Sequence, residues 1–383
     1  MSIVREPYGF AYAETSRLKE TYGGPEGRVF VECMRIRPAE GESKTVILFS
    51  HPIGGGAFLP LVTALARAGA HVIYCNPRYR GNDTALILEK CVLDLGACIA
   101  DLKQRFGYEK VVLGGWSGGG SLSLFYQEQA VAATITHTPA GDSVDLVAAR
   151  LQPADGVMLL AAHVSRSVTM TEWLDPSITD EDRPFERDGG LNIYDDRCPD
   201  KPPYGADFVA RFRAAQIARN RAITARVKKT LADLKASGEP NAERPFVVHG
   251  TMCDVRWTDP TQDPSDRRPY TCYLGEPRIA NDGPVGLGRF TTLRSWLSQW
   301  SYDESRAHGV NNAANVTCPA LVITNTADLA CTPSHAQRLY AALASPDKRF
   351  VEIKDADHYY IERYDLLPEA VKAVGDWLAA RGF

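Results

Sequence analysis

The sequence predicts an α/β protein in which helices flank a mostly parallel β-sheet and a large, mainly helical insertion interrupts that sheet. Residues 28–165 alternate strand-like and helix-like segments, which is the pattern of repeated βα units. The same pattern resumes at residue 319, after the segment 163–315, which has few β-rich runs. The chain of 383 residues also exceeds a typical single domain, so it needs a second unit or a large insertion.

The predicted strands are mostly short apolar runs, as expected where a strand is buried on both faces of a parallel sheet. Residues 45–50 (TVILFS) give the clearest run, whereas residues 28–37 alternate in the manner of a partly exposed strand. In chain order the predicted strands are 28–37, 45–50, 71–75, 110–114, 156–162, 319–326 and 349–353. The predicted helices are 57–68, 86–106, 118–129, 333–343 and 368–380.

The segment 163–315 is rich in Pro, Asp and Arg and contains one long basic amphipathic helix, predicted at 207–235. Nine acidic residues precede that helix within residues 175–200. The basic side chains either form a solvated face paired with this acidic stretch or recognise an anionic substrate or an acidic partner. We favour the first interpretation, because the acidic stretch lies just upstream in the same chain.

Composition and charge exclude several classes of protein. The formal net charge is -4, so no strong basic field predicts a nucleic acid partner. The first residues lack the apolar segment of a secretory signal, and no apolar run approaches the ~20 residues needed to cross a bilayer. We therefore expect a cytoplasmic protein without a membrane partner, whereas no feature of the sequence predicts the oligomeric state.

Cysteine and histidine spacing argues against a metal site. The nine cysteines are scattered and include no CxxC pair, and the eight histidines include no HExxH. A disulfide framework or a zinc site would show closer, paired spacing. We expect most of the cysteines to be small buried hydrophobic residues, and we expect neither a metal nor an organic cofactor.

The strongest chemical signal is the sequence Gly-Trp-Ser-Gly-Gly at residues 115–119, which matches G-x-S-x-G. A predicted strand ends directly before it and a predicted helix begins directly after it. A serine on such a sharp turn presents its hydroxyl in an exposed position, and the helix N-terminus favours a developing anion. Ser117 is therefore the predicted nucleophile. The alternative is a glycine-rich turn that only joins a strand to a helix.

A second glycine-rich loop, His-Pro-Ile-Gly-Gly-Gly at residues 51–56, follows a predicted buried strand. Its backbone N–H groups, together with that of Gly118, would form an oxyanion hole. Pro52 has no N–H, so Ile53 is the first candidate donor and Gly54 the next. The loop has no G-x-x-x-x-G-K-[ST] pattern, which argues against a nucleotide site. We expect His51 to orient the loop rather than to act as the catalytic base.

The predicted acid and base follow two later strands. Asp328 comes after the strand at 319–326, and His358 lies in the loop after the strand at 349–353. Because parallel strands end at the same edge of a sheet, both should approach Ser117. His358 would then take the serine proton while Asp328 orients the imidazole. The alternative role for Asp328 is a carboxylate at the start of the next helix.

These segments make the chain resemble the α/β-hydrolase superfamily with a serine nucleophile, and in particular its capped esterase-like or lipase-like members. The matching residues are HPIGGG at 51–56, GWSGG at 115–119, TADLACTP at 326–333 and DADHY at 355–359. The resemblance implies a catalytic core of residues 1–162 and 316–383, with residues 163–315 as a cap or lid between the sixth and seventh strands. One departure is Pro52, where many relatives have Gly, and it leaves the donor in that loop open.

The resemblance implies hydrolysis of a carboxylic ester of a small molecule through an acyl-enzyme on Ser117, with Trp116 and Gly54 contacting the substrate. The same triad would serve an acyltransferase, a thioesterase, a lactonase, an amidase or a C–C bond hydrolase. A non-catalytic binding protein with this fold is disfavoured, because it has no need of all three residue types. Four tryptophans of the segment 163–315 either line the substrate pocket or pack inside that segment: Trp173, Trp257, Trp296 and Trp300.

Overall fold

The computed structural model of the protein describes residues 1–14, 16, 18–21 and 27–383. In this part of the chain the strands are β1 (Ile3–Ala13), β2 (Arg28–Pro38), β3 (Thr45–Ser50), β4 (Val72–Asn76), β5 (Lys110–Trp116), β6 (Gly156–Leu160), β7 (Pro245–Val247), β8 (Phe290–Thr292), β9 (Ala320–Asn325) and β10 (Lys348–Ile353). The helices are α1 (Pro60–Arg67), α2 (Leu88–Phe106), α3 (Gly118–Val131), α4 (Leu146–Ala149), α5 (Arg166–Trp173), α6 (Ala206–Ala236), α7 (Val255–Thr258), α8 (Pro277–Asp282), α9 (Leu293–Ser295), α10 (Gly309–Ala313), α11 (Pro333–Ala342) and α12 (Leu367–Ala379). A π-helical turn at Trp296–Trp300 follows α9, and a 3-10 turn at Tyr364–Leu366 precedes α12.

Within the described residues, eight strands form one sheet in the order β1-β2-β4-β3-β5-β6-β9-β10. The pairs from β4 to β10 are parallel, whereas β1–β2 and β2–β4 are antiparallel. The predicted α/β class with a mostly parallel sheet is therefore confirmed, and each predicted strand lies within two residues of its expected ends. The sequence did not predict β1, because charged residues and a glycine interrupt its pattern. Pairing with β2 along its whole length holds it at the sheet edge.

The sheet is buried on both faces, and β3 illustrates why its sequence is continuously apolar. Val46 and Leu48 pack into the apolar layer that contains α2 and α3, whereas Ile47 and Phe49 pack into the layer that contains α1 and α12. Full burial of such a side chain contributes roughly 1.5–3 kcal/mol. The parallel strands then end together at one edge, which brings the loops after β3, β5, β6, β9 and β10 near one another.

The segment between β6 and β9 contributes no strand to the large sheet in the part of the chain that the structure describes. It therefore interrupts that sheet between its sixth and seventh strands in chain order. The segment has an apolar cluster of its own, formed by Met170, Ile223, Val227, Trp296 and Trp300 among others. It also contains the two-stranded antiparallel sheet β7–β8, whose three-residue strands are too short to show a period in the sequence.

The long basic helix predicted in this segment is confirmed as α6. Three of its arginines pair with the acidic stretch upstream: Arg211 with Asp200 at 3.0 Å, Arg219 with Glu181 at 2.6 Å, and Arg226 with Asp182 at 2.8 Å. The pairs of Arg211 and Arg226 are exposed and contribute little, whereas Arg219 is buried. The buried Phe208, Phe212 and Ile223 of α6 provide its apolar packing. In the described chain, no helix combines the length and the apolar character needed to cross a membrane.

Candidate active site

Ser117 lies on the turn between β5 and α3, with φ +53° and ψ -124°. This region of positive φ is strained for a residue with a side chain, and such strain recurs at functional sites. The Ser117 N–H is 3.2 Å from the carbonyl oxygens of both Leu160 and Ala161, which ties the turn to the end of β6. The turn needs glycines because a Cβ on Gly119 would lie 2.1 Å from the Ser50 carbonyl oxygen.

Asp328 and His358 meet at the same edge of the sheet, in the loops after the neighbouring parallel strands β9 and β10. The His358 Nδ1 is 2.6 Å from Asp328 Oδ2. The other carboxylate oxygen of Asp328 accepts the N–H groups of Ala330 and Cys331, at 2.7 and 2.8 Å. Asp328 is fully buried, so these bonds fix both of its oxygens. This arrangement assigns the proton to Nδ1 and leaves His358 Nε2 as an acceptor.

The structure brings Ser117 to this pair. Its Oγ lies 3.9 Å from Cys331 Sγ, and that sulfur lies within 4.8 Å of both a carboxylate oxygen of Asp328 and a ring nitrogen of His358. In the described chain, Ser117 Oγ makes no hydrogen bond to His358. Catalytic hydrogen bonds are often long without substrate, and a rotation about the Ser117 Cα–Cβ bond changes which neighbour Oγ faces.

Two groups of potential metal ligands occur among the described residues, Cys33–Cys75–Cys98 and Asp328–Cys331–His358. The first is enclosed in the apolar layer that contains α2. In the second, both oxygens of Asp328 already accept hydrogen bonds. Burial and the nearby carboxylate also raise the pKa of the Cys331 thiol well above its ordinary value. The Asp328 carboxylate of this group is thus already engaged by His358 and by two backbone N–H groups.

Three backbone N–H groups of the loop 51–56 already donate hydrogen bonds within the protein. Ile53 N–H donates to His51 Nδ1 at 3.3 Å, and Gly54 N–H donates to the His51 carbonyl at 2.7 Å. Gly55 N–H donates to the Asn76 side chain at 2.8 Å. Both predicted donors of this loop, Ile53 and Gly54, are therefore engaged within it. The Gly118 amide lies in the first turn of α3, where an N–H has no intrahelical partner.

Two histidines flank Gly118. A Cβ at this position would lie 2.8 Å from His51 Nε2 and 3.3 Å from His163 Nε2. Burial, then the charges of Arg166 and His358, lower the pKa of His51 to about 3. Burial, then His335 and Arg166, also lower the pKa of His163 well below its ordinary value. Both imidazoles are thus neutral beside Gly118 and the neighbouring Ser117.

Trp116 packs against the loop that carries His358. Its ring centroid is 4.5 Å from that of His358 and 5.1 Å from that of Tyr359, and its Nε1–H donates to the His358 carbonyl at 3.3 Å. In the segment 163–315, Trp257 Nε1–H donates to the carbonyl of Leu329, next to Asp328. Trp296 and Trp300 are fully buried in the cluster of that segment. The tryptophans therefore divide between packing inside the segment and contact with the loops of the site.

The chain has the α/β-hydrolase fold. Residues 45–155 match the protein family described as alpha/beta hydrolase fold, so the predicted resemblance to this superfamily is confirmed. The chain is also similar to the alpha/beta hydrolase GrgF from Penicillium sp. sh18, with 11% identity, a TM-score of 0.50 and coverage of 98% of this chain and 99% of that one.

Two further crystal structures are similar to the chain. One is the esterase domain of a Rhodothermus marinus protein, with 13% identity, a TM-score of 0.46 and coverage of 97% of this chain and 98% of that one. The other is a monoacylglycerol lipase from Paleococcus ferrophilus, with 16% identity, a TM-score of 0.44 and coverage of 99% of both chains. At these identities the likenesses concern the fold alone. Comparison with curated protein sequences gives no match.

Proposed function

We propose that the protein is a serine hydrolase that cleaves a carboxylic ester of a small molecule through an acyl-enzyme. One observation carries the proposal. Ser117, held at positive φ, lies at the sheet edge where the His358 imidazole meets the buried Asp328 carboxylate at 2.6 Å. A strained serine, an oriented imidazole and a fixed carboxylate are the parts that nucleophilic acyl transfer needs.

In the proposed reaction, Ser117 Oγ attacks the ester carbonyl while His358 Nε2 accepts its proton. Asp328 keeps the proton of Nδ1 in place and stabilises the imidazolium that forms. The Gly118 amide binds the oxyanion, together with a second donor from the loop 51–56. His358 then gives its proton to the leaving alcohol. A water molecule, deprotonated in turn by His358, releases the acyl group and restores Ser117.

The same proposal assigns the rest of the chain. Residues 1–162 and 316–383 form the catalytic core, and residues 163–315 form a cap over the site. The hydrogen bond from Trp257 to the carbonyl of Leu329 supports this, because it links that segment to the residue after Asp328. Trp116 and Gly54 are the proposed substrate contacts. A thioester, lactone or amide would use the same residues, so the substrate panel below includes all of these.

Covalent labelling tests the proposal. The intact protein is incubated with a fluorophosphonate, and the modified peptide is identified by mass spectrometry. We expect one adduct on Ser117 in the wild type and none in Ser117→Ala. The wild type should also turn over at least one member of a panel of esters, thioesters, lactones and amides of graded size. A folded wild-type protein that neither reacts nor turns over any of them would overturn the proposal.

A further inference from the structure

The His51 side chain lies close to the amide that we propose as oxyanion donor. Its Nε2 is 2.8 Å from the position that a Cβ on Gly118 would occupy. Because an amide nitrogen and a Cβ on the same Cα are about 2.5 Å apart, Nε2 lies within about 5.3 Å of the Gly118 nitrogen. Two donors at that separation can both reach one oxygen placed about 2.9 Å from each.

The hydrogen bonds of the loop fix which nitrogen of His51 carries hydrogen. Nδ1 accepts the N–H of Ile53, so the neutral ring carries its hydrogen on Nε2. In the described chain, that Nε2–H has no hydrogen-bond partner. Burial and the nearby Arg166 also keep the ring neutral throughout the physiological range, since its pKa is lowered to about 3. His51 therefore presents a fixed, uncharged donor beside Gly118.

The three backbone N–H groups that follow Pro52 in the loop already donate hydrogen bonds. The N–H groups of Ile53, Gly54 and Gly55 all donate to acceptors on His51 or Asn76. The Ile53 N–H does not face the oxyanion directly. It donates to one nitrogen of the imidazole, and the opposite nitrogen then donates outward. The imidazole ring thus places a hydrogen-bond donor, Nε2–H, on the side of the ring away from the Ile53 N–H.

We propose that His51 is a catalytic residue whose Nε2–H binds the oxyanion together with the Gly118 amide, and this inference rests on the proposed serine hydrolase function. As the bond from Ser117 Oγ to the carbonyl carbon forms, the π electrons of the carbonyl move to its oxygen, and the two donors bind that charge. The electrons return to the carbonyl when the bond to the leaving alcohol breaks. His51 transfers no proton, which separates its role from that of His358.

The test compares two substitutions whose side-chain amides lie where different nitrogens of the His51 ring lie in the wild type. Gln puts an N–H near the position of Nε2, whereas Asn puts one near Nδ1. We expect His51→Asn and His51→Leu to lower kcat on a small activated ester by about 100-fold, with KM changed only a few-fold. His51→Gln should recover at least 10-fold of this loss relative to His51→Asn. Affinity for a trifluoromethyl ketone, which forms a tetrahedral oxyanion adduct, should fall in parallel with kcat.

His163→Leu is the matched control, because His163 Nε2 approaches the same point of Gly118 at 3.3 Å. We expect its kcat to stay within a few-fold of the wild type. Equal activity of the Gln and Asn variants would overturn the inference, and so would equal losses in His163→Leu and His51→Leu. Loss of the acidic limb of the kcat/KM pH profile in the His51 variants would overturn it too, since His51 would then be the base.

The failure of this inference differs from the failure of the proposed function. If the wild type turns over esters and is labelled at Ser117 while folded His51→Leu keeps its kcat, only the proposed role of His51 is wrong. If the wild type is not labelled and turns over no ester, the proposed function is wrong, and this inference is wrong as well. Circular dichroism and thermal melting establish that each variant is folded, and the Gln–Asn pair decides the question if the Leu variant does not fold.

Discussion

The hydrogen-bond partners of Asp328 differ from those of Asp355 and Asp357, the other two carboxylates near the site. One oxygen accepts from the His358 ring and the other from two backbone N–H groups. The Asp357 carboxylate instead accepts four backbone N–H groups of residues 359–363 and so shapes the loop after β10. Asp355 is half-buried, has positive φ and lies 3.8 Å from Arg363. Of these three carboxylates, Asp328 is the one that hydrogen-bonds to the His358 ring.

Replacing Asp328 with Asn should cost activity without unfolding the protein. The amide can donate to His358 Nδ1, which shifts the ring hydrogen to Nε2 and removes the acceptor that Ser117 needs. We expect kcat to fall by roughly 10³–10⁴-fold. Steady-state kinetics on a small activated ester measures this. Asp355→Asn is the matched control and should keep wild-type rates. A folded Asp328→Asn variant with near-normal kcat would contradict the triad.

The residues of the candidate site differ in how far the sequence predicts them. Ser117, Asp328 and His358 each follow a readable strand, and the shared edge of a parallel sheet is enough to predict that they meet. The position of His51 Nε2 beside Gly118 cannot be predicted from the sequence. It depends on how closely α3 approaches the end of β3, which the sequence indicates only through its glycines. The catalytic roles of all these residues stay predictions until activity is measured.

At the scale of elements, the approach of α3 to β3 depends on Gly119. A Cβ there would lie 2.1 Å from the carbonyl oxygen of Ser50, and backbone cannot move aside as a side chain can. We expect Gly119→Ala to lower the free energy of unfolding by about 3 kcal/mol. It should also lower kcat, because Ser117 and the loop at His51 are pushed apart. Urea denaturation and ester kinetics measure the two effects.

Gly375 provides the control for that substitution. It is exposed in α12, and a Cβ there would meet nothing within 4 Å. Gly375→Ala should therefore stabilise the protein by about 0.5–1 kcal/mol, because alanine favours the helix. If the two alanine variants have the same stability, the close approach of α3 to β3 is not what requires glycine at position 119.

Elements that the sequence predicts and those it misses differ in length and burial. β3, β5 and β9 are apolar on both faces, so their runs are visible without any partner. β1 is recognisable only through its pairing with β2, and β7 and β8 are too short to show a period. α6 is clear from its spacing, but the partners of its arginines depend on how the acidic stretch folds back.

At the scale of the whole molecule, one buried network joins the segment 163–315 to the rest of the chain. Arg256 contacts Asp254 and Glu172 within that segment, and its Nη1 donates to Thr332 at the start of α11. His335 in α11 also lies 3.3 Å from Glu172. Burial alone would raise the pKa of both carboxyls, but Arg256 and its neighbours hold them below their ordinary values. Arg256 is the residue that contacts both carboxylates and also Thr332, whereas Arg213 in α6 contacts Asp254 at 2.7 Å.

Arg256→Ala should therefore weaken the packing of the segment 163–315 against the rest of the chain. It removes the arginine that contacts both Glu172 and the fully buried Asp254, and breaking a buried ion pair typically costs 3–5 kcal/mol. Asp254 keeps Arg213, so we expect a cost near the lower end of that range. Arg226→Ala removes only an exposed pair and should cost about 0–1 kcal/mol. Folding lowers the pKa values of Glu172 and Asp254. The network therefore stabilises the folded state fully at a pH above the ordinary carboxyl pKa values, and this stabilisation is lost as the pH falls below about 4. The difference between wild type and Arg256→Ala in urea denaturation should thus be largest near pH 7 and shrink toward pH 3. Equal stabilities of the two arginine variants at pH 7, or a difference that grows on acidification, would show that this network does not hold the segment 163–315 to the rest of the chain.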